Sequence, residues 1–118
     1  MIATHSYMCR VADVAADRLA ADGVSCEIVD LRTLAPLDAD TVCESAARTG
    51  ALLTLEEGQL ACGIGAEVAF RVREKVGTMR VARVGALPAP VSSNPILEAA
   101  CVPGADRVVD AVRGLLRP

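Results

Sequence analysis

The stretch Leu55 to Glu67, LEEGQLACGIGAE, constrains the chain most. It joins the most hydrophobic short run to the most sharply patterned helix through a glycine-rich loop. Ala51 to Leu55 is apolar without polar alternation, the pattern of a strand covered on both faces of a sheet. Glu56 and Glu57 are expected to close that strand. Gly58, Gly63 and Gly65 free the backbone to turn and enter a helix at close quarters. In that helix Gly65, Val68, Ala69, Val72 and Val76 fall on one stripe at helical spacing. Glu67, Phe70, Arg71 and Glu74 lie off the stripe, which leaves Phe70 as an aromatic outside the core face.

The remaining pattern alternates strand with helix. Ile2 to Ser6 is expected to form a strand, followed by a helix with Met8, Val11, Ala12, Ala15 and Leu19 inward and Gly23 as its stop. Val24 to Val29 follows as a second strand. Leu31 to Pro36 is a connection, because Pro36 disfavours helix at Ala35. Asp38 caps a helix carrying Val42, Ser45, Ala46 and Thr49 on one side and ending at Gly50. After the central strand and its helix come a strand from Met79 to Val84 and a proline-bearing loop from Gly85 to Ser93. Asn94 and Pro95 then read as a cap and first helical residue, opening a helix to Ala100. A last helix from Asp106 to Leu116 presents Val108, Val109, Val112 and Leu116. This order predicts an α/β fold, a three-layer α/β/α sandwich on a mainly parallel sheet of four to five strands, with one domain over residues 1–118.

Composition narrows the function. Tyr7 and Phe70 are the only aromatic residues, and the net charge is −3 with mixed signs. Stacking platforms and a basic surface are therefore both missing, which argues against nucleic-acid binding. Five cysteines form no CxxC pair and have no close histidine, so no zinc spacing is present and reduced thiols in a cytoplasmic protein are expected. The N-terminus shows no signal-peptide pattern, and no apolar run is long enough for a membrane span.

Chemistry-bearing patterns are weak. Gly63-Ile64-Gly65 lacks the third glycine of a dinucleotide fingerprint, and Glu67 would repel a phosphate at that helix start, so a structural role for the glycines is favoured. Glu56 and Glu57, adjacent on a strand, point to opposite sides and cannot converge on one bond, although either could cap a loop. His5 sits near the carboxyl end of the first strand without a recognisable nucleophile or metal ligand beside it. No residue earns a catalytic, cofactor-binding or metal-binding assignment from these patterns.

Read together, Glu27 to Asp38, EIVDLRTLAPLD, and LEEGQLACGIGAE resemble the C-terminal domain of the transketolase family. The nearest likeness is to the beta subunit of the thiamine-diphosphate-dependent decarboxylase component of pyruvate, branched-chain and acetoin dehydrogenase complexes. Leu87-Pro88-Ala89-Pro90, Leu97-Glu98 and the closing helix extend the resemblance over nearly all 118 residues. It implies a part of an enzyme whose thiamine diphosphate and magnesium are held elsewhere, by pyrimidine-binding and diphosphate-binding domains that this sequence does not contain. The expected role is assembly, as a stand-alone C-terminal subunit in a hetero-oligomer. The alternatives are a non-enzymatic docking module for an acyltransferase core or carrier protein, and a truncated gene product. Relatives usually carry a further antiparallel strand beside the one matching Val24 to Val29, and a small residue where Phe70 stands. The resemblance thus offers Tyr7, Glu57, Gly63, Gly65, Glu67 and Phe70 as candidate subunit-interface residues, with Phe70 as an anchor and Tyr7 and the loop from Glu57 to Gly63 walling the approach to the partner's site.

Overall fold

Strand and helix alternate along the chain because apolar residues recur first at successive positions and then at helical spacing. The computed structural model describes residues 1–117. Four parallel strands, β1 (Ile2–Thr4), β2 (Ile28–Asp30), β3 (Ala51–Gln59) and β4 (Arg80–Ala86), form a sheet in the order β2-β1-β3-β4. The helices are α1 (Met8–Ala21), α2 (Ala39–Thr49), α3 (Ile64–Val76), α4 (Pro95–Cys101) and α5 (Ala105–Leu116). Parallel pairing follows from the helical crossovers, since each strand must return to the same edge before the next begins.

Side chains alternate across the central strands and so divide the core in two. Ile2, Leu53 and Leu55 pack with Met8, Ala12, Ala15 and Leu19 of α1 and Val108, Val109 and Val112 of α5. Ala3 and Leu52 face the other way, against Val42, Cys43 and Ala46 of α2 and Val68 and Val72 of α3. The three layers predicted from the sequence are therefore present, with α1 and α5 on one face and α2 and α3 on the other. The chain leaves β1 toward β2 and later returns past β1 to β3, so the order reverses between β1 and β3. In open parallel sheets the crevice at the carboxyl ends of such a strand pair is where ligands bind.

Local chemistry sets the boundaries. Asp38 caps α2 by accepting from the Thr41 backbone N–H, and Gly50 closes it with φ 72°. Asn94 caps α4 by accepting from the N–H groups of Ile96 and Leu97, with Pro95 in the first turn. Four boundaries differ from expectation by two residues or more. β1 stops at Thr4 because Ser6 turns the chain with φ 56°. β2 begins only at Ile28, since the N–H of Val24 is used to close α1 on the Leu19 carbonyl. β3 runs past Glu56 and Glu57 to Gln59, with an irregularity in its pairing to β4 between Leu55 and Gln59. β4 takes in Gly85 and Ala86 from the expected loop. In α5, Leu115 rather than Leu116 packs against the core, and Leu116 is exposed.

Candidate functional site

The carboxyl edge of the sheet carries two separate arrangements, one on each face, and β3 supplies both. Glu56 shares the side of Thr54 and faces α3. Glu57 shares the side of Leu55 and faces α1. The opposite orientations expected of two adjacent strand residues are thus realised.

Glu56 is only 3% exposed. Its Oε1 accepts from the Gly65 backbone N–H at 3.3 Å and from Arg83 Nη2 at 3.4 Å. The same Nη2 donates to the Leu60 carbonyl at 2.6 Å. One guanidinium on β4 therefore ties the loop after β3 to the buried carboxylate at the start of α3. A Cβ on Gly63 would stand 2.6 Å from both Glu56 Oε1 and the Gln59 carbonyl, and one on Gly65 would stand 2.7 Å from Glu56 Oε1. These two glycines are spaced to admit a carboxylate of the protein itself. The N-terminus of α3, where a dinucleotide phosphate would sit, is filled by Glu56. Cys62, in the same loop, holds φ 58°.

On the other face lies an open cleft of about 530 Å³, walled by Tyr7 and Val11 of the first turn region, Glu57, Glu98 of α4, and Val102 and Pro103 after it. It sits at the carboxyl ends of β1 and β3, at the reversal of strand order. Tyr7 is 57% exposed, and Ile96 and Leu97 of α4 present exposed apolar side chains nearby in sequence to Glu98. Its two carboxylates suit a cation and would repel a diphosphate. A phosphate group therefore finds no favourable seat in this cleft or at the start of α3, where Glu56 already holds the Gly65 N–H.

The candidate interface residues do not form one patch. Tyr7 and Glu57 meet in this cleft. Gly63 and Gly65 lie inward against Glu56, with Gly65 buried. Glu67 is exposed and bonded to Arg71 at 2.7 Å, one turn on along α3. Phe70 stands 58% exposed on α3, in the opposite helical layer from Tyr7. His5 lines a different hollow with Ser6, Cys9, Asp30 and Arg32. There burial, together with the Asp30 carboxylate, pushes the Cys9 thiol up to about 11, the reverse of what an attacking thiolate needs. Among the described residues no cluster of three or more His, Cys, Asp or Glu side chains is placed to hold a metal ion.

Sequence reasoning missed Arg83 and Glu98. Arg83 lies in an otherwise ordinary strand, and its partner Glu56 is 27 positions away. Glu98 was visible only as part of a resemblance, and its place in a cleft depends on how α4 folds back.

The profile described as the transketolase, C-terminal domain, matches residues 1–108. The chain belongs to this family. It is 36% identical over 95% of its length to the pyruvate dehydrogenase E1 component subunit beta of Rickettsia bellii, and covers 35% of that protein. It is also 36% identical over 98% of its length to the acetoin:2,6-dichlorophenolindophenol oxidoreductase subunit beta of Cupriavidus necator, again covering 35% of the relative. Among solved structures it matches a split gene transketolase described as an inactive beta4 tetramer, with a TM-score of 0.88 and 34% identity, covering 98% of this chain and 38% of that one. The chain thus spans about a third of the length of the relatives it matches, and corresponds to their C-terminal part. Both relatives carry the word subunit in their names, and the solved neighbour is an oligomer.

Proposed function

We propose that this chain is the C-terminal subunit of a split thiamine-diphosphate-dependent enzyme of the 2-oxoacid dehydrogenase beta-subunit or transketolase type, and that it serves assembly. Thiamine diphosphate and magnesium belong, in this reading, to partner subunits that supply the pyrimidine-binding and diphosphate-binding domains. The observation that carries it is the agreement of nearly the whole chain with about a third of a split gene transketolase, of a pyruvate dehydrogenase E1 beta subunit and of an acetoin oxidoreductase beta subunit, within the transketolase C-terminal domain family. A cytoplasmic location fits the unpaired cysteines.

The chemistry of the candidate site supports a role other than catalysis. The buried carboxylate is committed to Arg83 and Gly65, and the thiol beside Asp30 is held protonated. What the domain offers is surface: an acidic cleft at one edge and an exposed aromatic on α3.

Reconstitution tests the proposal. The products of the genes adjoining this one are purified with and without the chain, and 2-oxoacid decarboxylation and ketol transfer from a ketose phosphate are both followed in the presence of thiamine diphosphate and magnesium. Turnover that requires the chain is the expected result. Equal turnover without it, or none under either condition, would reject the split-enzyme reading in favour of a docking module.

A further inference from the structure

We propose that α3 pairs antiparallel with α3 of a second copy of this chain, across a two-fold axis at Phe70. The inference goes beyond the assembly reading and does not depend on it, since the contact joins two copies inside a heteromer and gives a dimer of the isolated chain. Its origin is the solvent face of α3. Phe70 stands 58% exposed near the middle of this helix. Residues three and four positions away share its face. They are Ala66 and Glu67 before it and Arg73 and Glu74 after it, all exposed. The aromatic ring is thus left more than half uncovered by its own chain, on a face that carries both signs of charge.

The order of those charges selects the occupant. In a two-fold antiparallel helix pair, a residue n positions after the axis meets the residue n positions before it on the other copy. Glu67 therefore faces Arg73 of the second copy, and Arg73 faces its Glu67, so one axis creates two opposite-charge contacts. Glu74 falls opposite Ala66, whose small side chain lets the helices approach, and no like charges meet. Arg73 forms no ion pair among the described residues, and Glu67 has only Arg71 of its own helix. The two Phe70 rings meet at the axis, where an offset or edge-to-face arrangement is favourable.

The same operation fails on the other helices. On α1 the exposed Val14 lies midway between Arg10 and Arg18, so two copies would set arginine against arginine. On α4 the exposed Ile96 and Leu97 neighbour a single charge, Glu98, with no opposite charge to receive it. On α5 the exposed Leu116 ends the helix, and α2 exposes no large apolar side chain. Among the described residues, α3 is the helix whose exposed apolar residue sits at the centre of a self-complementary face.

Sedimentation velocity of the full chain, from about 10 μM to about 1 mM, reads the pairing. A single helix face is smaller than the about 1,200 Å² of a standard interface, so the dimer is weak and reversible. Expected is a concentration-dependent dimer that Phe70→Ser weakens about tenfold or more. Glu67→Lys and Arg73→Glu should each weaken it as well. The combined Glu67→Lys/Arg73→Glu variant should recover most of that loss, because both contacts re-form with their signs exchanged. All three positions are exposed, and a nearly unchanged Tm checks that each variant keeps the fold. A chain that is monomeric at the highest concentration, a dimer indifferent to Phe70→Ser, or a combined variant no tighter than the single ones would overturn the antiparallel pairing. If the chain is monomeric and Phe70→Ser instead weakens its joining to the partner subunits, the self-pairing is wrong while the assembly role stands.

Discussion

At the scale of single residues, the arrangement around Glu56 makes the sharpest demands. Its carboxylate is buried and held by an arginine and a backbone amide, so Glu56→Ala strands Arg83 and opens a void. Arg83 keeps some access to water, which places the cost below the 3–5 kcal/mol of a fully buried pair, at about 2–3 kcal/mol in urea unfolding. The glycines give a test with an internal control. Gly65→Ala puts a methyl against the Glu56 carboxylate and should cost about 1–3 kcal/mol as overpacking. Gly58→Ala meets the same carboxylate only at an ordinary 3.7 Å and should cost little. Equal losses at both positions would show that the close approach at Gly65 does not matter. Thiol chemistry gives a third outcome. With its thiol pushed up to about 11, Cys9 should alkylate far more slowly at pH 8 than the exposed Cys62, as read by peptide mass spectrometry with iodoacetamide.

Secondary elements differ in how they are secured, and the sequence told these differences unevenly. The Asp38 carboxylate is held below its ordinary value, chiefly by the Thr41 hydroxyl and then by the Thr41 backbone N–H. A carboxyl group depressed on folding adds stability that is present above its unfolded value and is lost as the pH falls through the lower folded one. Asp38→Asn should therefore keep the cap but flatten the dependence of Tm on acid below about pH 4. β3 lies between β1 and β4 with Leu52, Leu53 and Leu55 fully buried, whereas β2 is a three-residue edge strand, only half-buried. Amide exchange should be slowest in β3 and fastest among the strands in β2. The helices and the central strand were legible because their apolar periodicity and caps are local properties: Asp38, Gly50, Asn94 and Pro95 each mark a boundary by their own chemistry. The late start of β2 and the extension of β3 through Glu56 and Glu57 were not legible. Charged residues ordinarily end a buried strand, and only a partner elsewhere in the chain, Arg83, makes a buried glutamate tolerable. Of the cleft, Tyr7 and Glu57 were brought together by the resemblance alone and Glu98 was missed, since the three come from distant stretches that only the fold assembles.

The whole molecule matches one domain of longer proteins. Buried apolar clusters lie on both faces of its sheet. Its two distinctive surfaces face different ways, Tyr7 and Glu57 at the carboxyl-edge cleft and Phe70 on the layer formed by α2 and α3. Substituting Phe70→Ser should leave the domain's own stability nearly unchanged, because surface positions of this kind fall within about 0.5 kcal/mol. A loss of assembly with stability intact would mark it as an interface anchor. The most direct measurement of the assembly role is native mass spectrometry of this chain co-expressed with the products of its adjoining genes, with thiamine diphosphate and magnesium present. A stable heteromer that contains this chain and retains the cofactor is the result expected. A chain that remains alone, or associates only with itself while the other products assemble and bind the cofactor without it, would contradict the proposed role.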